Sequence, residues 1–231
     1  MNDIFTAIST IITILTTGVT LLVAFLCLIN IQGFNKAGNR WLGVFMLCIF
    51  FINTDTLLYL GGMKIASASA VMVMNISAYV APPAFYYTVS YFIAPGRPWK
   101  IKDYFHLVSF ALFYLLFSLY LIHEKPSLAG QGYYFLTILF SGSFGILCCL
   151  QIFYYCLLSW IKLKKHEKNI QSFASAIENV DLRWLRYMVV CVSVMAVFFI
   201  IDRLSRLPDS YYIIINFTYL AGFFAIAYFS I

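Results

Sequence analysis

Seven long apolar runs, near 4–31, 41–61, 66–94, 105–122, 132–161, 184–204 and 211–231, alternate with short polar connections along the chain. Most match or exceed the roughly 20 apolar residues a helix needs to cross a bilayer. A helix satisfies every backbone group within its own segment, which lipid demands. The pattern therefore predicts an all-α integral membrane protein, one domain over 1–231 built of seven transmembrane helices. The first, third and fifth runs are longer than a bilayer needs, so those helices are expected to tilt or protrude.

The one sizeable polar stretch, about 162–183, has a period of its own. Ile170, Phe173, Ile177, Val180 and Trp184 recur at steps of three or four residues, which makes an apolar helical stripe. Asp181 stands before Leu182, Arg183 and Trp184 as a helix N-cap does. The fifth helix is thus expected to continue into an amphipathic segment, break, and restart at Asp181. Phe173, Ile177, Asp181 and Trp184 are candidates for coupling helix movement to an output. The plainer alternative is an interfacial anchor drawn to anionic lipid.

Composition closes off other classes. The 231 residues are 63% hydrophobic and 10% charged, with a mean hydropathy of +0.89. Ordinary soluble domains carry about 25% charge, so a water-soluble fold is excluded, and seven spans leave no room for a separate soluble domain. The net charge of +6 is not laid out as the basic stripe that nucleic acid requires, and no direct nucleic-acid binding is expected. No Lys or Arg precedes the first run, and that run is too long for a signal-peptide core. The first helix is expected to persist in the mature protein.

Charge placement predicts orientation. Eleven of the 15 Lys and Arg fall in alternate connections: Lys36 and Arg40; Arg97, Lys100 and Lys102; Lys162, Lys164, Lys165, Lys168, Arg183 and Arg186. Lys64, Lys125, Arg203 and Arg206 occupy the others. By the positive-inside rule the first set is cytoplasmic, with the amino terminus outside and the carboxyl terminus in the cytoplasm.

Polar residues within the runs are the candidate sites. Asp55 lies roughly 21 Å up the second helix, in its outer half. A carboxylate in lipid is costly and is by default a functional hypothesis, against the plainer reading of a structural pair or a protonated acid. Asn75 and Tyr79 of the third run are placed to border the same outward cavity. Asp202 and Arg203 are candidates for its rim, or else interfacial anchors. Pro82 and Pro83 predict a kink in the third helix and a candidate hinge, beside Tyr86 and Tyr87.

Catalytic and metal chemistry finds no support. His106, His123 and His166 are too far apart in sequence to suggest a metal pair, and the six cysteines sit in apolar runs without paired spacing. Neither a zinc-protease nor a nucleophile-elbow motif is present. The last run holds no Lys for a retinal Schiff base. No enzyme activity, metal or cofactor is expected.

Four stretches carry a family resemblance: Asn39-Arg40-Trp41-Leu42-Gly43; Pro82 to Tyr91; Arg97-Pro98-Trp99-Lys100 with His106; and His166-Glu167-Lys168-Asn169-Ile170 leading through Ser175 and Glu178 to Asp181-Leu182-Arg183-Trp184-Leu185-Arg186. With these the chain resembles the seven-helix membrane domain that precedes an AraC-type helix-turn-helix domain in Bacteroidetes transcriptional regulators. Similar domains precede sensor kinases. The resemblance implies a membrane sensor, in the bacterial inner membrane, signalling to a cytoplasmic effector. That effector does not follow here, and the last run reaches Ile231 without a terminal Lys or Arg, so a longer natural chain is expected. The expected partners are membrane lipid and a small-molecule or lipid ligand, with a homodimer compatible. The rival reading is a small transporter or ion-conducting protein, for which Asp55, Asn75 and the Pro-Pro break line a path.

Overall fold

The computed structural model describes residues 2–29, 35–61, 68–108, 110–115, 143–173, 183–205 and 209–230. Among these the regular structure is entirely helical: α1 Asn2–Ile29, α2 Lys36–Leu60, α3 Ala68–Ile93, the single turn α4 Ile101–Tyr104 with a 3-10 turn Phe105–Leu107, α5 Ser143–Phe173, α6 Arg183–Ser205 and α7 Asp209–Ser230. Helical residues follow the 3-10 turn at 108 and 110–115. Among the described residues four stretches are long and apolar enough to cross a membrane: Ala7–Ile29, Lys36–Leu58, Ile146–Asn169 and Arg183–Ile201. A shorter apolar helix covers Ile213–Tyr228.

The six long helices form a closed ring, in the order α1, α2, α3, α5, α6, α7 and back to α1. Side-chain pairings fix their directions. Trp41 meets Tyr87 and Phe45 meets Phe85, so α2 and α3 are antiparallel. Cys148 reaches Ala78, Gln151 reaches Tyr79 and Lys162 reaches Ser90, so α3 and α5 run parallel. After α3 the chain doubles back: His106 lies against Tyr86 and Tyr87, whereas Phe113 stacks on Tyr79.

Burial on α1 is inverted relative to a soluble protein. Ser9, Thr13, Thr16, Thr17 and Thr20 are buried, while Ile11, Leu15, Leu22 and Phe25 are half or more exposed. In water this arrangement is unfavourable, because apolar surface is left hydrated. In lipid it is the expected one, since polar groups must turn inward. Thr13, Thr16 and Thr17 donate to the carbonyls of Ser9, Ile12 and Thr13 at 2.7–2.8 Å, which satisfies each hydroxyl proton within the helix. The outer faces of α5, α6 and α7 carry exposed Leu150, Phe153, Val197, Ile214 and Phe217 in the same way. These features are those of a multi-pass membrane protein.

The ring is filled unevenly. One apolar core joins Val23, Ala24 and Cys27 of α1, Leu42, Phe45 and Met46 of α2, Ala84, Phe85 and Val89 of α3, Leu163 of α5, Leu185, Met188, Val189, Val192 and Met195 of α6, and Phe223 and Ile226 of α7. Most of these positions lie toward the end at which the eleven basic residues gather, and Met195 marks mid-bundle. Lipid is as apolar as Leu, so this core holds the helices by close packing rather than by exclusion of water. Gly43 permits that packing on α2: a Cβ there would stand 2.7 Å from Leu28 Cγ and 3.2 Å from the Ala24 carbonyl oxygen. At the other end, the buried hydroxyls of α1 face the interior.

Candidate functional site

The predicted outer site is only partly visible. Asp55 is half-buried on α2 and Tyr79 is buried on α3, its ring stacked on Phe113 at 4.6 Å. The α2–α3 pairings, extended by helical rise, place Asp55 level with residues 73–75. The side chains of Asn75, Asp202 and Arg203 lie outside the described residues, as do Ile177, Asp181 and the Phe173 side chain. Trp184 is half-buried and meets Phe92 edge-on at 4.7 Å. The α1–α2 contact of Gly43 with Ala24 and Leu28 sets Asn53 at the level of Thr16 and Thr17 by the same rise. Among the described residues, Asn53 Nδ2 is buried without an acceptor. Asn216 of α7 donates to Ser9 Oγ at 2.7 Å, which adds another polar group to this half.

Pro82 and Pro83 do not interrupt α3. They do leave the carbonyls four residues earlier, on Ala78 and Tyr79, without a helical donor. Those two carbonyls are the ones that α5 serves. Gln151 Nε2 donates to the Tyr79 oxygen at 3.0 Å, and the Cys148 thiol lies 3.9 Å from the Ala78 oxygen. The prolines thus make α3 dependent on α5 at mid-bundle, as freed backbone groups in lipid require.

Below that joint lies a polar and aromatic node whose members are scattered along the chain from Trp41 to Lys162. Asp103, buried at the start of α4, accepts from Arg97 Nη2 and from the Lys100 N–H, the latter at 2.8 Å. The second bond is the return half of a capping box, a carboxylate at the third helical position reaching back to the cap. The Tyr87 hydroxyl donates to the Asp103 carbonyl at 2.6 Å, and the fully buried Tyr87 ring packs with Trp41 at 4.7 Å and Trp99 at 4.9 Å. Trp41 and Trp99 stack nearly parallel, 8° apart. His106 Nδ1 shares a 2.8 Å hydrogen bond with the Tyr155 hydroxyl of α5. Lys162 turns inward from α5, donating to Ser90 Oγ at 2.7 Å with its ammonium 5.0 Å from the centre of the Tyr86 ring.

Asn35 caps α2 beside this node. Its Oδ1 accepts the Gly38 N–H at 3.1 Å while its Nδ2 donates to the Tyr91 carbonyl at 2.9 Å. One side chain therefore both starts α2 and ties it to the end of α3. Asn35 has φ 35, a left-handed conformation that Asn tolerates better than most residues. On the far side, Glu167 of α5 pairs with Lys164 at 3.2 Å and with Arg186 of α6 at 3.8 Å.

One cavity among the described residues is of another kind. It is a groove of about 390 Å³ between α5 and α6, lined by Trp160, Val190, Ser193, Val194 and Val197. Its valines belong to the exposed apolar surface, so it is open to lipid rather than to the ring interior. Among the described residues no cluster of His, Cys, Asp and Glu is arranged to hold a metal.

Sequence signals for the node were present but scattered. Asp103 stands alone among Lys100, Lys102 and Arg97, an isolated carboxylate in a basic connection. The hydroxyl stripe of α1 is legible too, since Ser9, Thr13, Thr16, Thr17 and Thr20 recur at helical spacing. Comparison with protein families, with curated proteins and with solved structures finds no match to this chain.

Proposed function

We propose that the chain is a seven-helix sensor domain of the bacterial inner membrane, relaying an external or intramembrane cue to a C-terminal cytoplasmic effector. By the resemblance of its motifs, that effector is a DNA-binding regulator. The orientation puts the amino terminus outside and the basic end in the cytoplasm, because eleven Lys and Arg gather there. A span near 105–122 fits this reading, since residues 106–113 turn back along α3 and α5 runs parallel to α3. Cysteine labelling in a cysteine-free background checks this orientation. Position 168 should react only from the cytoplasmic side, and reaction in intact cells from outside would reverse the assignment.

The observation that carries the sensor reading is the joint at Pro82-Pro83. Polar groups gather in the outer half of the ring, the apolar core lies in the inner half, and α3 traverses both. Its mid-point is held to α5 by the bond from Gln151 to Tyr79. A ligand among the outer polar groups that shifts α3 would therefore load this joint and the node beneath it. A shift between two arrangements of packed helices is the usual form of such relays.

The test uses the natural full-length protein with an output reporter. Gln151→Leu removes the donor at the joint, and Phe173→Ser with Ile177→Ser disrupts the apolar stripe past α5. Interhelical hydrogen bonds in membranes contribute about 0.6–2 kcal/mol, enough to shift a two-state output roughly threefold or more while leaving insertion intact. Normal insertion with an altered stimulus response supports the relay. An unchanged response across the stimulus range in all variants rejects it, and solute or ion flux in proteoliposomes would favour the transporter reading instead.

A further inference from the structure

We propose that Arg97 and Lys162 seat a phosphate-class oxyanion, the headgroup of an anionic phospholipid lodged at the basic end of the bundle. Charge balance is the first argument. Lys162 lies over the Tyr86 ring, which packs on Tyr87 and His106, and the Tyr87 hydroxyl bonds to Asp103, the partner of Arg97, so two fixed cations gather about one carboxylate. The other described carboxylate at this end, Glu167, is engaged by Lys164 and Arg186. An uncompensated cation half-withdrawn from water is stabilised by an anion brought to it.

Donor geometry is the second argument. Arg97 gives Nη2 to Asp103, while its Nη1 is buried and, among the described residues, has no acceptor. A guanidinium presents its donors in a rigid fork that suits phosphate oxygens. Lys162 places its ammonium in the same cluster, anchored by Ser90 and Tyr86 instead of extending to solvent. Together they offer a planar donor from the segment after α3 and a point charge from α5.

The surroundings choose a lipid over a free ion. Ile101, Tyr104 and Phe105, on the short turn carrying Asp103, are 83%, 60% and 73% exposed, beside Lys100 and Lys102. Apolar side chains next to lysines on one turn are the makeup of an interfacial element, with its apolar part in the acyl boundary and its charges at the headgroups. A phospholipid beside it meets both chemistries at once. Free phosphate would meet only the cations.

The experiment measures lipid retention by native mass spectrometry on the intact chain purified in mild detergent. Phosphatidylglycerol and phosphatidylcholine compete, and inorganic phosphate is a separate arm read by thermal unfolding. Phosphatidylglycerol should be retained about tenfold over phosphatidylcholine, the scale of a charge-assisted hydrogen bond. Lys162→Gln should abolish that preference, Lys162→Arg should keep it, and Lys164→Gln, on the exposed surface, should leave it unchanged. Equal retention of the two lipids by the unaltered chain overturns the proposal without recourse to any variant. Equal losses in Lys162→Gln and Lys164→Gln overturn it as well, by reducing the effect to surface charge. Stabilisation by inorganic phosphate equal to that by phosphatidylglycerol assigns the seat to the free ion and overturns the lipid.

Discussion

Asp103→Ala is expected to destabilise the protein by about 3–5 kcal/mol, the range for removing one partner of a buried ion pair. The carboxylate is buried, and three structural elements meet at this residue: the Arg97 guanidinium, the N–H that opens α4, and Tyr87 through the Asp103 carbonyl. Truncation leaves Arg97 without its counter-charge and the α4 cap without its acceptor. Asp103→Asn should recover about 1 kcal/mol, the contribution of a helix cap, because an amide oxygen still reaches the Lys100 N–H. Arg97→Met combined with Asp103→Ala should be less damaging than Asp103→Ala alone, since the unpaired guanidinium is gone. Reversible unfolding in mixed micelles measures all three. A loss under about 1 kcal/mol for Asp103→Ala would mark the pair as equivalent to an exposed one and remove the node as a structural centre.

The second large effect concerns the contact between α1 and α2. Gly43→Leu is expected to cost about 1–3 kcal/mol or more, because even its Cβ would press on Leu28 Cγ at 2.7 Å and on the Ala24 backbone oxygen at 3.2 Å. The Leu28 side chain can yield, but the carbonyl moves only if α1 moves. Gly18 of α1 is the matched control, since a Cβ there meets nothing within 4 Å. Gly18→Leu should be neutral or slightly stabilising, given the low helix propensity of glycine. If both variants unfold at the same denaturant midpoint, the close approach at Gly43 carries no energetic weight.

The sequence was most legible where one physical requirement acts along a continuous stretch. α1, α2, α5 and α6 stand out because a bilayer demands an uninterrupted apolar run, and the run is local information. The carriage of α5 past Lys162 to Phe173 follows from the Ile170 and Phe173 period in the same way. The gathering of basic residues in alternate connections is likewise local information. The node was not legible, since it joins Ser90 to Lys162 across 72 positions and His106 to Tyr155 across 49. No periodicity reports which faces of two distant helices meet. Lys162 read as one more member of a basic run, and only the packing of α5 on α3 shows that it points inward. The Pro-Pro pair announced that two carbonyls would need donors, but Cys148 and Gln151 look like ordinary polar positions in an apolar run until the register of α5 is known.

That pairing also orders events during synthesis. α1 satisfies its own hydroxyls through bonds of three and four residues, so it can rest in lipid as soon as it emerges. α3 cannot do so on equal terms, because the acceptors exposed by Pro82 and Pro83 wait for donors 70 and 72 residues downstream. At about 5–20 residues per second, that wait lasts roughly 4–14 s. Over this interval the third helix is an unfinished surface in the membrane, served by water, by lipid headgroups or by the insertion machinery until the fifth arrives.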